Sequence, residues 1–347
     1  MDNVLIVGAG FSAALVYSYC RSNKIDVICP SVVRLDSSSE VRDIKNLKIN
    51  KLFGHRANSL STLGVTSQPN VKLHNRTIIG GNSTVWGGFF DAELDFDASS
   101  ALERIGAKLV RLSYDNTGST SNRDSICQLQ DFNGNIYTSA KLFAGVRVGN
   151  FYCNKIMPEN NRVRVELVSM LNGKKYYSEY DKIFVCCGVF NAISIIHNSF
   201  NVDFFELTDF GHELRLGFKS NNLSNYSDTV IRYGIPRAIN HFLGVQKKFA
   251  LDTFNFPICI DQIFSKFKSK LEIEIQDNIA NLRANANGFG DSIHYNNLKI
   301  NGCSINQFLE SISPNVVFFG MASLNQKNPG PISNDIHSQI NEYFNKN

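Results

Sequence analysis

Three clusters of small and polar residues in this 347-residue chain have the types and spacing that chemistry needs. The first is Gly8-Ala9-Gly10-Phe11-Ser12-Ala13, a Gly-x-Gly-x-x-Ala run close to the start of the chain. Gly8 permits a tight turn, Gly10 has no Cβ to hold a ligand away from the backbone, and small Ala13 lets helix and strand approach closely. A helix beginning at Phe11 would present its first N–H groups and a partial positive charge to an anion. The combination suits the pyrophosphate of a dinucleotide and does not say which dinucleotide. An ordinary glycine turn in an α/β core is the plainer alternative.

The second cluster is Ile78-Ile79-Gly80-Gly81-Asn82-Ser83-Thr84-Val85-Trp86-Gly87-Gly88, where two Gly-Gly pairs frame a polar segment holding the only Trp. Glycines this dense suggest backbone packed directly against a flat or charged ligand. The third is Gly288-Phe289-Gly290-Asp291-Ser292-Ile293-His294-Tyr295, which sets a histidine among glycines, with Asn328-Pro329 further on. Imidazole titrates in the range useful to a general base. A buried structural histidine is the competing reading, and it is the one expected for His55, His74, His197, His212, His241 and His337.

Elements that would position these clusters can be read from the pattern. Val4–Val7 is a short apolar run suited to a buried parallel strand, and helix formers extend from Phe11 to about Cys20. A second strand is expected over Lys24–Ile28. Dinucleotide folds often end that strand in an acid that binds a ribose hydroxyl. Here it ends in Cys29-Pro30-Ser31, so either Ser31, Asp36 or Glu40 substitutes, or the backbone holds the adenosine. Residues 31–75 read as irregular, and Asp95 or Asp97 is placed to cap a helix running to about Ile105.

From Gly145 the pattern turns to strands. Val146–Ile156 reads as one, Arg162–Leu167 alternates, and Asn172-Gly173 signals a hairpin leading to Lys174–Ser178. Lys182–Gly188 then reads as a buried strand ending in small residues, followed by a helix over Asn191–His197. A β-meander feeding a core strand that ends at a glycine fits a flavin domain better than a nicotinamide one. Residues 201–286 read as a mainly antiparallel unit with an amphipathic stretch near Asp261–Lys270. The chain closes with a strand over Asn315–Phe319, a loop, and a helix striped by Ile332, Ile336, Ile340 and Phe344.

Composition narrows the function classes. At 43% hydrophobic and 19% charged residues the chain is an ordinary globular protein, and a net charge of +4 gives no case for nucleic acid. The eight cysteines form no C-x-x-C pair and no zinc spacing, so no metal site is expected. With structure expected from residue 3 and no apolar run of membrane-spanning length, the expectation is a cytoplasmic protein with no membrane span.

Taken in order, five stretches resemble the glucose-methanol-choline (GMC) family of flavin oxidoreductases. They are the N-terminal fingerprint, the Gly80–Gly88 loop, the strand, glycine and helix of Asp181–Ser199, the Gly288–Tyr295 segment, and Ser313–Ile340. Gly-Gly-x-Ser-x-x-Trp-Gly-Gly is similar to members that oxidise sugars and polyols. The chain departs from the family in being short, in lacking the acid after its second strand, and in reading His294-Tyr295-Asn296-Asn297 where Gly-Thr and a Met are usual.

The expected fold is α/β: a Rossmann-like FAD-binding domain with a β-meander, from residues 1–198 and 287–347, plus a smaller sheet-rich substrate domain over 199–286. The resemblance implies FAD bound non-covalently by Gly8, Gly10, Phe11, Ser12, Ala13, Gly80, Gly81, Asn82, Ser83, Gly188 and Pro329. It implies His294 as base and Asn328 as a hydrogen-bond donor to the oxygen of a sugar, polyol or related alcohol, with Pro329 opening the last helix. A small-molecule or carbohydrate substrate and an electron-acceptor partner follow. The alternatives are an NAD(P)-dependent reductase or dehydrogenase on a similar fold, and a catalytically inactive flavoprotein serving as a binding partner.

Overall fold

The computed structural model describes residues 2–30, 59–60, 63–67, 78–84, 89–91, 97–111, 126–210, 268–277, 279–285, 295–324 and 332–346. Its organising element is a five-stranded parallel sheet. Strand β1 (Asn3–Val7) lies at the centre, with β2 (Lys24–Ile28) on one side and β12 (Lys182–Val185) on the other. The short strand β8 (Val148–Gly149) extends the sheet beyond β2, and β18 (Val316–Phe318) extends it beyond β12. The order is β18-β12-β1-β2-β8.

Parallel sheets persist where both faces are covered, and β1 shows why its run is unbroken by polar residues. Val4 and Ile6 point to one face, into a core shared with helix α1 (Phe11–Tyr19) and helix α6 (Ile332–Lys346). Leu5 and Val7 point to the other, into a core shared with helix α4 (Val189–Phe200). Strand β12 divides in the same way, Phe184 joining the first core and Ile183 with Val185 the second. Each such aliphatic side chain contributes about 1.5–3 kcal/mol on full burial. Of the stripe expected on α6, Ile336 and Ile340 are buried and Phe344 stacks on Tyr19 of α1 with ring centroids 4.6 Å apart, while the side chain of Ile332 lies outside the described residues.

A small antiparallel sheet covers the α1 face. It consists of β5 (Phe89–Asp91), β6 (Ala107–Arg111) and β7 (Ile126–Asp131), with helix α2 (Asp97–Arg104) alongside. Helix α3 (Ala140–Ala144) follows. The region read as one strand over Val146–Ile156 is two, because β8 ends at Gly149 and β9 (Phe151–Glu159) joins a different sheet. A Cβ on Gly149 would stand 3.0 Å from Phe151 and 3.3 Å from Ile28, so a side chain at this crossing between sheets would press on both.

Strand β9 pairs antiparallel with β10 (Arg162–Ser169), which pairs with β11 (Lys175–Tyr180) across a turn at Gly173 (φ +67°). This is the meander expected from the alternating pattern. A register shift opposite Glu166 and Leu167 leaves Asn154 of β9 as the extra residue, and Glu166 is buried on the face opposite Val163, Val165 and Leu167. There it accepts hydrogen bonds from Asn154 (2.6 Å) and Tyr177 (2.8 Å) and pairs with Lys175 (3.0 Å). Burial alone would raise its carboxyl pKa; the bonds from Tyr177, Lys175 and Asn154 outweigh that and hold it below the usual range.

The largest sheet has the order β17-β16-β13-β14-β15-β4-β3. It joins β13 (Phe204–Phe210), β14 (Lys268–Gln276) and β15 (Ile279–Asn285) to β16 (Tyr295–Ile300), β17 (Cys303–Ser304), β3 (Ser59–Leu60) and β4 (Leu63–Ser67). Two short strands therefore lie within 31–75, where irregular chain was expected. β4 is ordered by a partner far along the chain, running parallel to β15 with Ile279 opposite Gly64. The inner residues Phe205, Leu207, Ile273, Ile275, Leu282, Leu298 and Ile300 share a core with α4. Of the strand segments expected within 201–286, Leu271–Ile275 falls in β14, whereas Thr229–Tyr233 and Phe254–Ile260 lie outside the described residues.

Beside the parallel sheet, helix α5 (Ile305–Glu310) closes the free edge of β18. Asn306 donates from Nδ2 to the Phe318 carbonyl (3.1 Å) and accepts at Oδ1 from the Phe318 N–H (3.0 Å). One side-chain amide thus stands in for a neighbouring strand.

Candidate functional site

The strand order reverses beside β1. After β1 the chain moves outward through β2 and β8, then returns to the opposite side of β1 as β12 and continues to β18. The helices following β1 and β12, α1 and α4, lie against opposite faces. Such a reversal leaves a crevice at the carboxyl ends of the two strands, the usual ligand position in open α/β sheets.

Two glycine turns line that crevice. Gly8 has φ +114°, and a Cβ there would stand 2.5 Å from the Cys186 carbonyl oxygen and 3.0 Å from Cys187 Cα. Its N–H donates to the Ile28 carbonyl (2.7 Å), and the Cys186 N–H donates to Val7 (2.8 Å). Gly8 is therefore demanded by the meeting of three strand ends. Gly10 differs: its φ is −89°, and a Cβ built on it meets nothing within 4 Å among the described residues. No described protein atom needs Gly10 to be glycine, and the missing Cβ leaves space directly over the start of α1.

Gly10 and Gly188 are the N-cap residues of α1 and α4, and neither helix has a side-chain cap or an acidic residue in its first turn. Helix N-termini carry N–H groups without intrahelical acceptors and the positive end of the helix dipole. Gly188 has φ +78° and, like Gly10, nothing within 4 Å of its Cβ position among the described residues.

The Gly80–Ser83 segment closes one side. It forms a 3-10 turn over Gly81–Thr84, and the Gly80 N–H donates to the Ala9 carbonyl (2.8 Å). A Cβ on Gly81 would lie 3.4 Å from Gly10 Cα, so this turn stands against the first. The Ser83 side chain is buried and engaged with Gly80 (2.6 Å) and Ser139 (2.8 Å).

A residue the sequence reading passed over completes the group. Gly320, just beyond β18, has φ +79°, and a Cβ there would stand 2.5 Å from Ser12 Oγ. Its N–H donates to Gln339 Oε1 (3.1 Å), while Gln339 Nε2 donates to Ser323 Oγ (2.9 Å) and the Ser323 carbonyl (3.2 Å). A single glycine two residues beyond a strand gives a weak signal without knowledge of what it faces. The same turn anchors β16, since the N–H groups of Asn297 and Leu298 donate to Met321 and Ala322.

The structure therefore brings together Gly8, Gly10, Phe11, Ser12, Ala13, Gly80, Gly81, Ser83 and Gly188, with Asn82 inside the 3-10 turn. His294, Asn328, Pro329 and Trp86 lie outside the described residues, as do Ser31, Asp36 and Glu40. The described part of α6 begins at Ile332. Cys29, at the tip of β2, is buried and donates its N–H to the Gly149 carbonyl (3.0 Å), so its thiol is part of the core. Burial pushes the Cys20, Cys29 and Cys153 thiols up to about 12 and Cys186 higher than its ordinary value, which keeps them protonated at neutral pH.

Among the described residues no cluster of His, Cys, Asp or Glu is arranged to hold a metal ion, and no helix is long and apolar enough to cross a membrane. No protein-family model matches the chain, and no curated protein does. Solved structures resemble it distantly. The OxyS anhydrotetracycline hydroxylase from Streptomyces rimosus is 12% identical over 98% of this chain and 60% of its own, with a TM-score of 0.33. BexE, studied for oxidation during BE-7585A biosynthesis, is 11% identical over 93% of this chain and 57% of its own, at 0.35. RebC-10x, native and K252c-bound, is 11% identical over 93% and 55%, at 0.32. The chain spans little more than half of each, and scores this low carry no argument about chemistry.

Proposed function

We propose that the chain is an FAD-dependent oxidoreductase that oxidises a hydroxyl group on a sugar, polyol or related alcohol. The observation that carries the dinucleotide part is the open space at Gly10, above the uncapped start of α1 and beside the Gly80–Ser83 turn. Glycine is kept where no described protein atom requires it, and a pyrophosphate accounts for it. The three-stranded meander of β9, β10 and β11 supports a flavin over a nicotinamide.

FAD, when bound, supplies a ring that accepts hydride. The chain's own residues have the other tasks. Phe11, Ser12 and Ala13 receive the phosphates through backbone N–H groups, Gly10 lets them approach, and Gly80, Gly81 and Asn82 border them. Gly188 offers a second turn free of side chain. His294 takes the hydroxyl proton on its imidazole nitrogen, and Asn328 donates an amide N–H to the substrate oxygen; both roles rest on the GMC resemblance. The sheet-rich region over 199–286 is proposed as the substrate side, and an electron acceptor as the partner that reoxidises the flavin.

The test starts with the purified protein, which is expected to be yellow and to release intact FAD on denaturation. An anaerobic screen of alcohols and sugars then follows bleaching of the flavin absorbance. His294→Ala is expected to slow bleaching by roughly 10²–10⁴-fold with FAD still bound. A colourless protein that binds NADP instead would overturn the flavin reading. FAD that no hydroxyl compound reduces would overturn the enzyme reading in favour of a binding role.

A further inference from the structure

We infer that Ser139 is a positioning residue for the dinucleotide turn, its hydroxyl fixing, through Ser83, how Gly81 stands against Gly10. This rests on the reading that the Gly8–Gly10 turn takes a pyrophosphate.

Three segments distant in sequence meet in a few ångströms. The Ser83 hydroxyl contacts the Gly80 carbonyl at 2.6 Å, and Ser83 Oγ accepts the Ser139 N–H at 3.0 Å. The two hydroxyl oxygens are 2.8 Å apart. A hydroxyl has one proton to give. With that of Ser83 spent on Gly80, the proton between the oxygens comes from Ser139. Ser83 then donates once and accepts twice, so its lone pairs and its proton are all used inside the protein. Ser139 Oγ also lies 3.4 Å from the Ala9 carbonyl and 3.3 Å from the Gly80 carbonyl.

Two further observations separate this from ordinary loop packing. Ser139 is the N-cap residue of α3, the place where a serine normally accepts a bond from its own helix, yet no such bond is made. Its hydroxyl is turned away from α3 toward the turn at Gly80. Both serines are buried, Ser139 completely and Ser83 to 5% exposure, so water does not compete for these bonds. The element they hold is the one whose Gly81 stands 3.4 Å, at its Cβ position, from Gly10 Cα. Ser83 thus acts on the ligand indirectly, and Ser139 is its support.

The experiment removes FAD from wild type, Ser139→Ala, Ser83→Ala and the double variant, and titrates each with ADP, which carries the pyrophosphate, and with AMP, which does not. Loss of one buried bond predicts ADP binding weaker by about three- to tenfold in each single variant, with AMP binding changed by less than about twofold. The double variant is expected to lose little more than the worse single, because both substitutions break one network. Equal losses for ADP and AMP, or unchanged ADP affinity, would overturn the assignment while leaving the pyrophosphate site intact. A wild-type protein that binds neither ADP nor FAD would overturn the site and the assignment together. If Ser139→Ala does not fold, Ser83→Ala decides by the same comparison.

Discussion

The carbonyl oxygen of Cys186 lies 2.5 Å from the place a Cβ on Gly8 would occupy, whereas the corresponding place on Gly10, two residues on, is empty among the described residues. Glycines of one fingerprint thus answer to different constraints. Gly8→Ala is expected to destabilise the fold by about 3 kcal/mol or more, combining left-handed strain with a backbone collision. Gly10→Ala is expected to change stability by no more than about 0.5 kcal/mol and to weaken ADP binding by at least about tenfold. Thermal unfolding and ADP titration of both variants check this. Equal destabilisation by the two, or undiminished binding by Gly10→Ala, would remove the distinction.

Gly320 and Ser12 should behave as a coupled pair. Gly320→Ala drives its Cβ to within 2.5 Å of Ser12 Oγ, and Ser12→Ala removes that oxygen. The double variant is expected to be more stable than Gly320→Ala alone by about 1 kcal/mol, with strain at φ +79° remaining. A double-mutant cycle by urea unfolding measures the coupling. Strict additivity would mean that the turn moves away freely.

Glu166 gives the meander a pH dependence of definite sign. Its carboxyl pKa is lowered in the folded chain, so its contribution is present above the ordinary carboxylate value and is lost as pH falls through the folded value. Glu166→Gln is expected to destabilise the protein by about 1–2 kcal/mol at neutral pH and to flatten the acid limb of the stability curve. The check is urea unfolding of both proteins between neutral and acid pH. Parallel acid limbs would assign the acid sensitivity to other carboxylates.

Asn306 holds both peptide groups of Phe318 at the edge of the parallel sheet. Asn306→Ala is expected to cost about 1–3 kcal/mol and to speed hydrogen exchange at the Phe318 amide more than at Val7. Equal protection at Phe318 in both proteins would show that the edge of β18 is held by other means.

The sequence by itself determined the elements whose cause is local. An unbroken apolar run made β1, the four-residue spacing of Ile336, Ile340 and Phe344 made the buried stripe of α6, and Asn172-Gly173 turned the meander. The cradle around Gly8–Ala13 was legible for the same reason, since glycine positions and a following helix are properties of neighbours in sequence. Tertiary structure alone decided which distant groups meet. Nothing near Gly320 announces Ser12, nothing near Gly8 announces Cys186, and strand β4 exists through its pairing with β15. Ser83 carries the same lesson furthest. Its place in a glycine-rich loop suggested contact with a ligand, but a hydroxyl has few bonds to give, and those of Ser83 are used by Gly80 and by Ser139, a residue 56 positions away. Saturation of a buried hydrogen-bonding group depends on every atom around it, and only the folded chain brings those atoms together.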